Sequence, residues 1–318
     1  MKQLLLNQIK SASNIAIFAH EKPDGDAVGS ALALFSLCKE MGKHVSVSIT
    51  GEMPNNLLFL KDIDVVNQNK IKSGDLCIVV DCANLTRLGK NRYQPQNFKN
   101  ILMIDHHIKE DNFANYSVIK VGYSSTCEVI YDVLTDENIE ITPTIAYYLL
   151  IGILTDTGGF KYACTTPETM IKTAKLLTIA NININDLMIP LFSSITKEMF
   201  ELKKLAYDKI KLYCNDTIAI INISNDELKE INVNFADTKI VLEIAQSLKS
   251  VKAVALVTEG EPGVNYVSFR SKGVDISLVA NVFGGGGHKE SSGCKIFDTN
   301  QNATKEVTEA VLKYMERQ

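Results

Sequence analysis

Short apolar runs that end in a polar, metal-ligating side chain recur along the first half of the chain. One run leads to His20, a second ends at Asp81 and a third ends at Asp105. Continuous apolar runs of this length are typical of strands that are buried on both faces of a parallel sheet. Ligands of open α/β sheets bind outside the carboxyl ends of the strands. The pattern therefore predicts that these polar side chains gather at one sheet edge.

Helical spacing alternates with these runs. Apolar positions over 27–41 recur at helical spacing and stop at Gly42, a residue that commonly follows the end of a helix. Thr142 precedes Pro143, which is favoured at the first helical position, and this helix runs towards Asp156. The alternation of strands and helices predicts an α/β domain with a parallel sheet.

The texture changes near residue 216. From there on, the pattern predicts a mixture of strands, a hairpin and helices, which are strands 217–223, 252–257, 264–271 and 292–297 and helices 237–248, 275–283 and 303–315. We predict an α/β protein in which an N-terminal parallel-sheet domain (1–185) is joined by a helical linker (186–215) to a smaller mixed-sheet α/β domain (216–318). A length of 318 residues is consistent with two domains.

Composition and charge limit the classes of function. Hydrophobic residues make up 46% of the chain and charged residues 22%, as in ordinary globular proteins. A net charge of -4 and the lack of tryptophan argue against a groove that coats long nucleic acid. The N-terminus lacks the pattern of a signal peptide, and the apolar run 145–154 is half the length of a membrane span. We expect a cytoplasmic protein with no membrane contact.

The seven cysteines are scattered, with no Cys-x-x-Cys pair. An odd, dispersed set among apolar neighbours predicts reduced thiols in the core, and it predicts neither a disulfide framework nor a zinc site.

Six side chains form a candidate metal centre: His20, Asp24, Asp26, Asp81, His106 and Asp156. Each alone has an ordinary structural reading, since an aspartate after a strand often caps a helix and Asp-Gly often forms a turn. Together, four aspartates in one pocket would repel, by about 4 kcal/mol for a pair about 4 Å apart. Two divalent ions would neutralise them, and Asp/His ligation suits ions such as Mn²⁺. A bridging aspartate between two ions is the arrangement of two-metal phosphoester hydrolysis.

These motifs, in this order, resemble those of the DHH phosphoesterase superfamily. The residues that carry the resemblance are His20-x-x-x-Asp24-x-Asp26, Asp81, Asp105-His106-His107 and Asp156. The stretch Gly284-Gly-Gly-Gly-His288, with Ser291-Ser-Gly293, is similar to the signature of the DHH-associated C-terminal domain. The resemblance covers essentially the whole chain, and it is greatest to the nanoRNase and 3′-phosphoadenosine 5′-phosphate phosphatase type.

The resemblance implies a role for each position. One Mn²⁺ ion would be held by His20, Asp24 and Asp81. The other would be held by Asp26, Asp81, His106 and Asp156, so that Asp81 bridges, and Mg²⁺ or Co²⁺ are possible substitutes. The expected catalytic residues are His107 and Asp81. His107 would face the scissile phosphate as hydrogen-bond donor or general acid. Asp105 would orient a histidine, or it is simply a carboxylate at a strand end.

The second domain would read the substrate. Arg270 offers a two-pronged donor for a phosphate, and Arg87 is a further candidate for a terminal phosphate. Gly285, Gly286 and Gly287 would let backbone amides approach a nucleotide, with His288 beside them, although glycine-rich stretches are also often plain turns.

The expected function is Mn²⁺-dependent hydrolysis of short oligonucleotides to 5′-mononucleotides, together with removal of the 3′-phosphate from 3′-phosphoadenosine 5′-phosphate. Related activities left open are hydrolysis of cyclic dinucleotides or their linear products, and less so RecJ-like exonuclease or pyrophosphatase activity. A nucleotide-binding sensor without catalysis is the alternative from another class. The partners would be short oligonucleotides or small phosphonucleotides and, as in relatives, a second copy of the chain in a homodimer.

Overall fold

The chain divides after Ser194 into two α/β units, in a computed structural model that describes residues 3–108 and 110–317. The fold class expected from the sequence is confirmed in both units. The helix 197–209, which lies in the predicted linker, packs through Leu202 and Ala206 against the core of the second unit.

The first unit is built on a five-stranded sheet in which all the pairings are parallel. Its strands are β1 (Asn14–Phe18), β2 (His44–Ser48), β3 (Gly74–Val80), β4 (Phe98–Asp105) and β5 (Tyr116–Ile119). The strand order is β2-β1-β3-β4-β5, so the direction of winding changes between β1 and β3. Ligands of doubly wound sheets bind at such a switch point, outside the carboxyl ends of the strands.

Helices cover this sheet and form its core with it. They are α1 (Leu4–Ser11), α2 (Gly25–Glu40), α3 (Thr126–Asp136), α4 (Pro143–Asp156), α5 (Pro167–Ala180) and α6 (Asn185–Met188). Helices α2 and α4 are buried on nearly all sides, which explains why their sequences are apolar with little periodicity. They approach closely at Gly29, where an added Cβ would lie 2.6 Å from the carbonyl oxygen of Tyr148.

The second unit has a six-stranded mixed sheet in the order β10-β11-β9-β8-β7-β6. The strands are β6 (Lys211–Tyr213), β7 (Ile218–Ile223), β8 (Ala253–Glu261), β9 (Val264–Ser271), β10 (Gly286–His288) and β11 (Ser291–Phe297). The helices are α7 (Lys197–Lys209), α8 (Asn225–Glu230), α9 (Ile240–Gln246), α10 (Ser277–Val282) and α11 (Asn300–Met315). Two apolar clusters, one on each face, form its core.

No single helix in the described part of the chain is long and apolar enough to cross a bilayer. Within residues 3–108 and 110–317, one pair of helices, 167–180 and 185–193, meets that length and composition together, and it is bent by 97°.

Candidate functional site

The carboxyl edge of the first sheet brings together all six predicted metal ligands. Their donor atoms form overlapping groups, each with all its atoms within 4.8 Å of one another. The groups are His20, Asp24 and Asp81; Asp26, His106 and Asp156; and Asp81, Asp105, His106 and His107. The first two groups, with Asp81 added to the second, contain the same residues as the two ligand sets that the motif resemblance implies for two ions.

Asp81 lies at the centre of these groups and is only 2% exposed. Its Oδ2 is 3.3 Å from Nε2 of His20, and its Oδ1 is 3.7 Å from Nε2 of His106. The backbone of Asp81 has a φ of 52°, a left-handed conformation that Asp adopts more readily than most residues. The two oxygens of one carboxylate therefore face two different histidines, as a bridging ligand requires.

Asp24 and Asp26 are placed by the start of α2. Oδ1 of Asp24 accepts hydrogen bonds from the backbone N–H groups of Asp26 (3.1 Å) and Ala27 (2.9 Å), which caps the helix. Its Oδ2 lies 3.5 Å from Nε2 of His20. The helix cap thus uses one oxygen of the carboxylate, and the other oxygen faces His20.

The fully buried carboxylate of Asp26 lies at the N-terminus of α3, a contact that the sequence analysis did not foresee. It accepts hydrogen bonds from the N–H groups of Thr126 (2.6 Å) and Cys127 (2.9 Å), where the helix dipole favours negative charge. Gly152 of α4 makes room for it, since an added Cβ there would lie 2.4 Å from Oδ1 of Asp26. The sequence signal for this contact is limited to Ser124 and Ser125, residues of a type that often caps a helix, before the apolar run that begins near Cys127.

The histidines of the Asp105-His106-His107 segment are oriented by hydrogen bonds. Nδ1 of His106 donates to the carbonyl oxygen of Tyr123 at 3.0 Å. This bond orients the ring so that Nε2 faces Oδ2 of Asp156 at 3.3 Å. Asp105 is fully buried, and its Oδ1 accepts from both the backbone N–H and Nδ1 of His107 at 2.9 Å. The His107 side chain is 41% exposed, so it can reach a bound molecule.

The electrostatics of the cluster show a shortage of positive charge. Burial, with the charges of Asp81 and Asp156, raises the pKa of Asp26 well above its usual range. Burial, with the charges of Asp81 and Asp24, raises the pKa of Asp156 to about 8. Burial would also raise the pKa of Asp81, but contacts with His107 and His20 outweigh it and hold that pKa below its usual value.

The pKa values of two histidines are raised as well, because carboxylates lie beside them. Burial lowers the pKa of His20, but Asp24 and Asp81 outweigh it and raise that pKa to about 9. Hydrogen bonds to Asp105 and Asp81 raise the pKa of His107 to about 10. In addition, Nε2 of His20 and Nε2 of His106 are buried without a hydrogen-bond partner among the described residues. Divalent ions would take these two nitrogens as ligands and neutralise the carboxylates, so the donor set fits a metal centre.

In the second unit, strand register aligns two of the predicted substrate-binding residues. His288 of β10 is paired with Ser291 of β11, which is paired with Arg270 of β9. Directly paired residues project from the same face of a sheet, so these three form one row. His288 is exposed and Arg270 is half-buried, with Nη1 donating to the carbonyl oxygen of Phe269 at 2.8 Å.

The predicted glycine loop is instead partly a strand, and two of its glycines have a packing role. An added Cβ at Gly285 would lie 2.2 Å from the carbonyl oxygen of Gly293, and Gly287 has a φ of 141° and a similarly close neighbour. Gly286 is exposed, and an added Cβ there would lie in ordinary contact with Oδ1 of Asn281, at 3.9 Å. Arg87 lies in the turn 85–91 that follows β3, and its carbonyl oxygen accepts from the N–H of Glu21 at 2.7 Å.

Comparison with known proteins defines the class. Residues 14–153 match the family model described as DHH family, N-terminal domain, and residues 213–317 match the DHHA1 domain. A relative from Streptococcus mutans, named probable bifunctional oligoribonuclease and PAP phosphatase NrnA, is 31% identical over 94% of each chain. The chain therefore belongs to the DHH family and is a hydrolase, which confirms the resemblance of its motifs.

One further relative and two solved structures are also similar to this chain. The Bacillus subtilis protein named bifunctional oligoribonuclease and PAP phosphatase NrnA is 26% identical over 95% of each chain. An exopolyphosphatase-related protein from Bacteroides fragilis has a TM-score of 0.82 at 23% identity, covering 98% of this chain and 95% of its own, which shows the shared fold. RecJ from Thermus thermophilus, solved with Mn²⁺, has a TM-score of 0.51 at 14% identity and covers 99% of this chain and 54% of its own.

Proposed function

We propose that this protein is a two-metal phosphoesterase that hydrolyses short oligonucleotides to 5′-mononucleotides and converts 3′-phosphoadenosine 5′-phosphate to AMP. The observation that carries the proposal is the position of Asp81, whose two oxygens face the histidines of two separate donor groups. The substrate classes are supported by the names of the relatives, which are oligoribonucleases and PAP phosphatases.

The proposed cofactors are two Mn²⁺ ions, with Mg²⁺ or Co²⁺ as substitutes. One ion would be held by His20, Asp24 and Asp81, and the other by Asp81 together with Asp26, His106 and Asp156. When bound, such ions lower the pKa of a water molecule and neutralise charge on the phosphate. We refer below to the first set as the outer ligands and to Asp26, His106 and Asp156 as the inner ligands.

His107 is the proposed donor to the substrate. Its ring is fixed from one side by Asp105, which accepts from Nδ1, so the other nitrogen is directed away from that bond. Because Asp105 and Asp81 raise the pKa of His107 to about 10, its imidazole in the metal-free protein is protonated on both nitrogens at neutral pH. Such a ring can donate a hydrogen bond to a phosphate oxygen and supply a proton to the leaving oxygen.

The second unit is proposed to bind a phosphate of the substrate through the row of Arg270, Ser291 and His288. The guanidinium supplies several donors, and the exposed imidazole and the hydroxyl add more on the same face. Gly286 is exposed, so its backbone is accessible to a nucleotide beside this row, whereas Arg87 is the weaker candidate. We further propose a cytoplasmic location and a homodimer.

The test is hydrolysis by purified protein with Mn²⁺ of a dinucleotide, a five-mer, a twenty-mer, 3′-phosphoadenosine 5′-phosphate and cyclic di-AMP. We expect the dinucleotide, the five-mer and 3′-phosphoadenosine 5′-phosphate to be consumed first. Asp81→Ala should abolish turnover, while Asp136→Ala, at an exposed position at the end of α3, should retain it. Rapid loss of the twenty-mer with little action on the dinucleotide would overturn the proposal, and preferential loss of cyclic di-AMP would favour the related dinucleotide activity.

A further inference from the structure

A polar network joins α5 to α3 beside the candidate metal centre. Nζ of Lys172 lies 3.0 Å from Oε1 of Glu128 and 2.9 Å from Oδ2 of Asp132. The side chain of Lys172 is 14% exposed and that of Glu128 only 4%. Although burial opposes it, hydrogen bonds from Ser124 and Lys172 lower the pKa of Glu128. Charges withdrawn from water to this extent need their partners, so the network is sensitive to the loss of any one member.

The network holds the segment 123–125, which precedes α3. Oε2 of Glu128 accepts from both the backbone N–H (3.0 Å) and the hydroxyl (2.6 Å) of Ser124. Oδ2 of Asp132 accepts from the hydroxyl of Tyr123 at 2.7 Å, and Nζ of Lys172 lies 4.5 Å from the centre of the Tyr123 ring. The position of this segment is therefore fixed by side chains of α3 and α5.

The same segment contacts the metal centre at two points. The carbonyl oxygen of Tyr123 accepts from Nδ1 of His106, which sets the direction of Nε2. Ser125 caps α3, whose first N–H groups, from Thr126 and Cys127, bind the carboxylate of Asp26. Both contacts end on inner ligands. The hydroxyl of Thr126 adds a third contact, to Oδ1 of Asp81 at 3.1 Å, which is the Asp81 oxygen that faces His106.

The outer ligands are held differently. Asp24 is fixed by the N-terminus of α2, and His20 follows β1. Among the described residues, neither shares a hydrogen bond or ion pair with Lys172, Glu128 or Asp132. The network thus reaches the inner ligands and, through Thr126, the Asp81 oxygen that faces them, and among the described residues it bonds to neither His20 nor Asp24.

We infer that Lys172 is a positioning residue for the metal ion held by the inner ligands, acting through Glu128, Asp132 and the segment 123–125. This inference rests on the proposed two-metal function and deepens it. Groups that orient a ligand without touching the ion typically contribute about 10- to 100-fold to metal affinity. Loss of Lys172 should therefore lower the affinity for the ion held by the inner ligands and leave the affinity for the other ion unchanged.

The test is Mn²⁺ titration by calorimetry of full-length protein first stripped with a chelator. The unmodified protein should bind two ions. Lys172→Met should bind one ion with unchanged affinity and the other about 10- to 100-fold more weakly. Lys172→Arg, which keeps the charge, should restore most of the loss. The absorption spectrum of Co²⁺-loaded protein should change for the weakened site alone.

A matched control and a milder variant keep the result interpretable. Lys99→Met removes another lysine of the first unit, paired with Asp75 at 2.7 Å near the opposite end of the sheet, and should leave both affinities unchanged. Tyr123→Phe keeps the ring and the carbonyl group but removes the bond to Asp132. If Lys172→Met does not fold, Tyr123→Phe decides the matter, with a smaller loss expected at the same site.

The outcomes separate the inference from the proposed function. Unmodified protein that binds no ion overturns both. Two ions in the unmodified protein, followed by an equal loss at both sites in the folded variant, would show that Lys172 serves stability alone and would overturn the inference only. Unchanged affinities in the variant that decides the matter would do the same.

Discussion

Asp156→Asn should make the metal-free protein more stable to unfolding than the unmodified protein. With metal bound, the variant should be the less stable of the two. The ligand oxygens of Asp156 and Asp26 lie within 4.8 Å of each other. Two unit charges at that separation repel by about 3 kcal/mol at an effective dielectric constant near 20. Partial protonation of the carboxylates relieves some of this repulsion, so we expect Asp156→Asn to gain about 2 kcal/mol. For a unit of this size, that corresponds to a rise in Tm of about 4–8 °C.

The gain should depend on pH in a defined direction. Because the pKa of Asp156 is raised to about 8 in the folded protein, the folded state holds a proton that the unfolded state releases above pH 4. The stability of the unmodified, metal-free protein should therefore fall as pH rises from 4 to 8, and the advantage of Asp156→Asn should grow over the same range.

With Mn²⁺ present the order should reverse. An amide brings no negative charge to the ion, so the rise in Tm on adding Mn²⁺, which reflects affinity, should be smaller for Asp156→Asn. The assay is calorimetric unfolding in chelator and in Mn²⁺, with Asp136→Asn as the exposed control, expected to change little. A variant that is less stable in chelator as well would refute the argument that uncompensated carboxylates oppose folding.

Three further predictions concern other parts of the chain. Gly152→Ala should lower activity about 100-fold by displacing Asp26 by about 1 Å. It should also lower Tm, because the added Cβ would overpack against Asp26 and Cys127, at a cost of about 1–3 kcal/mol that exceeds the gain of about 1 kcal/mol in helix propensity; unchanged turnover would contradict this. Asp75→Asn should destabilise the protein in urea unfolding at pH 6, because hydrogen bonds from Lys99 and from backbone groups lower the pKa of Asp75 to about 2. Since a lowered pKa stabilises above pH 4, that difference should shrink as pH falls towards 2, and a difference that grows instead would count against it. Arg270→Met should raise KM for short oligonucleotides about 10-fold with kcat nearly unchanged, because Arg270 is proposed to bind a substrate phosphate, and Arg270→Lys should be intermediate. An equal fall in kcat would show that Arg270 acts on the chemical step and would contradict a role in substrate binding alone.

The architecture of the first unit follows from its sequence to a large extent. The apolar runs before His20, Asp81 and Asp105 are β1, β3 and β4, and the carboxyl ends of these strands form one edge of the sheet. Buried parallel strands have an unmistakable apolar pattern, and the chemistry lies just beyond them. By contrast, β5 is half-buried along its length and alternates too weakly to be predicted.

The contacts between distant segments could not be predicted. Nothing in the local sequence shows that the N-terminus of α3 meets Asp26, that Gly152 makes space for it, or that Tyr123 orients His106 through a carbonyl group. These contacts depend on how helices pack, and backbone groups have no sequence signature. The glycine stretch at 284–287 likewise suggested a loop, whereas pairing with β11 makes part of it a strand.

The spread of the candidate ligands along the chain has a consequence for biosynthesis. His20 follows the first strand of the first unit and Asp156 ends α4, and the strands β2 to β5 of the sheet lie between them. A growing polypeptide on the ribosome can therefore present a complete ion pocket only after α4 has emerged and docked onto α2. A fragment that ends before α4 would lack Asp156 and could not form the complete ligand set. Binding of both ions would therefore indicate that the first unit has finished folding.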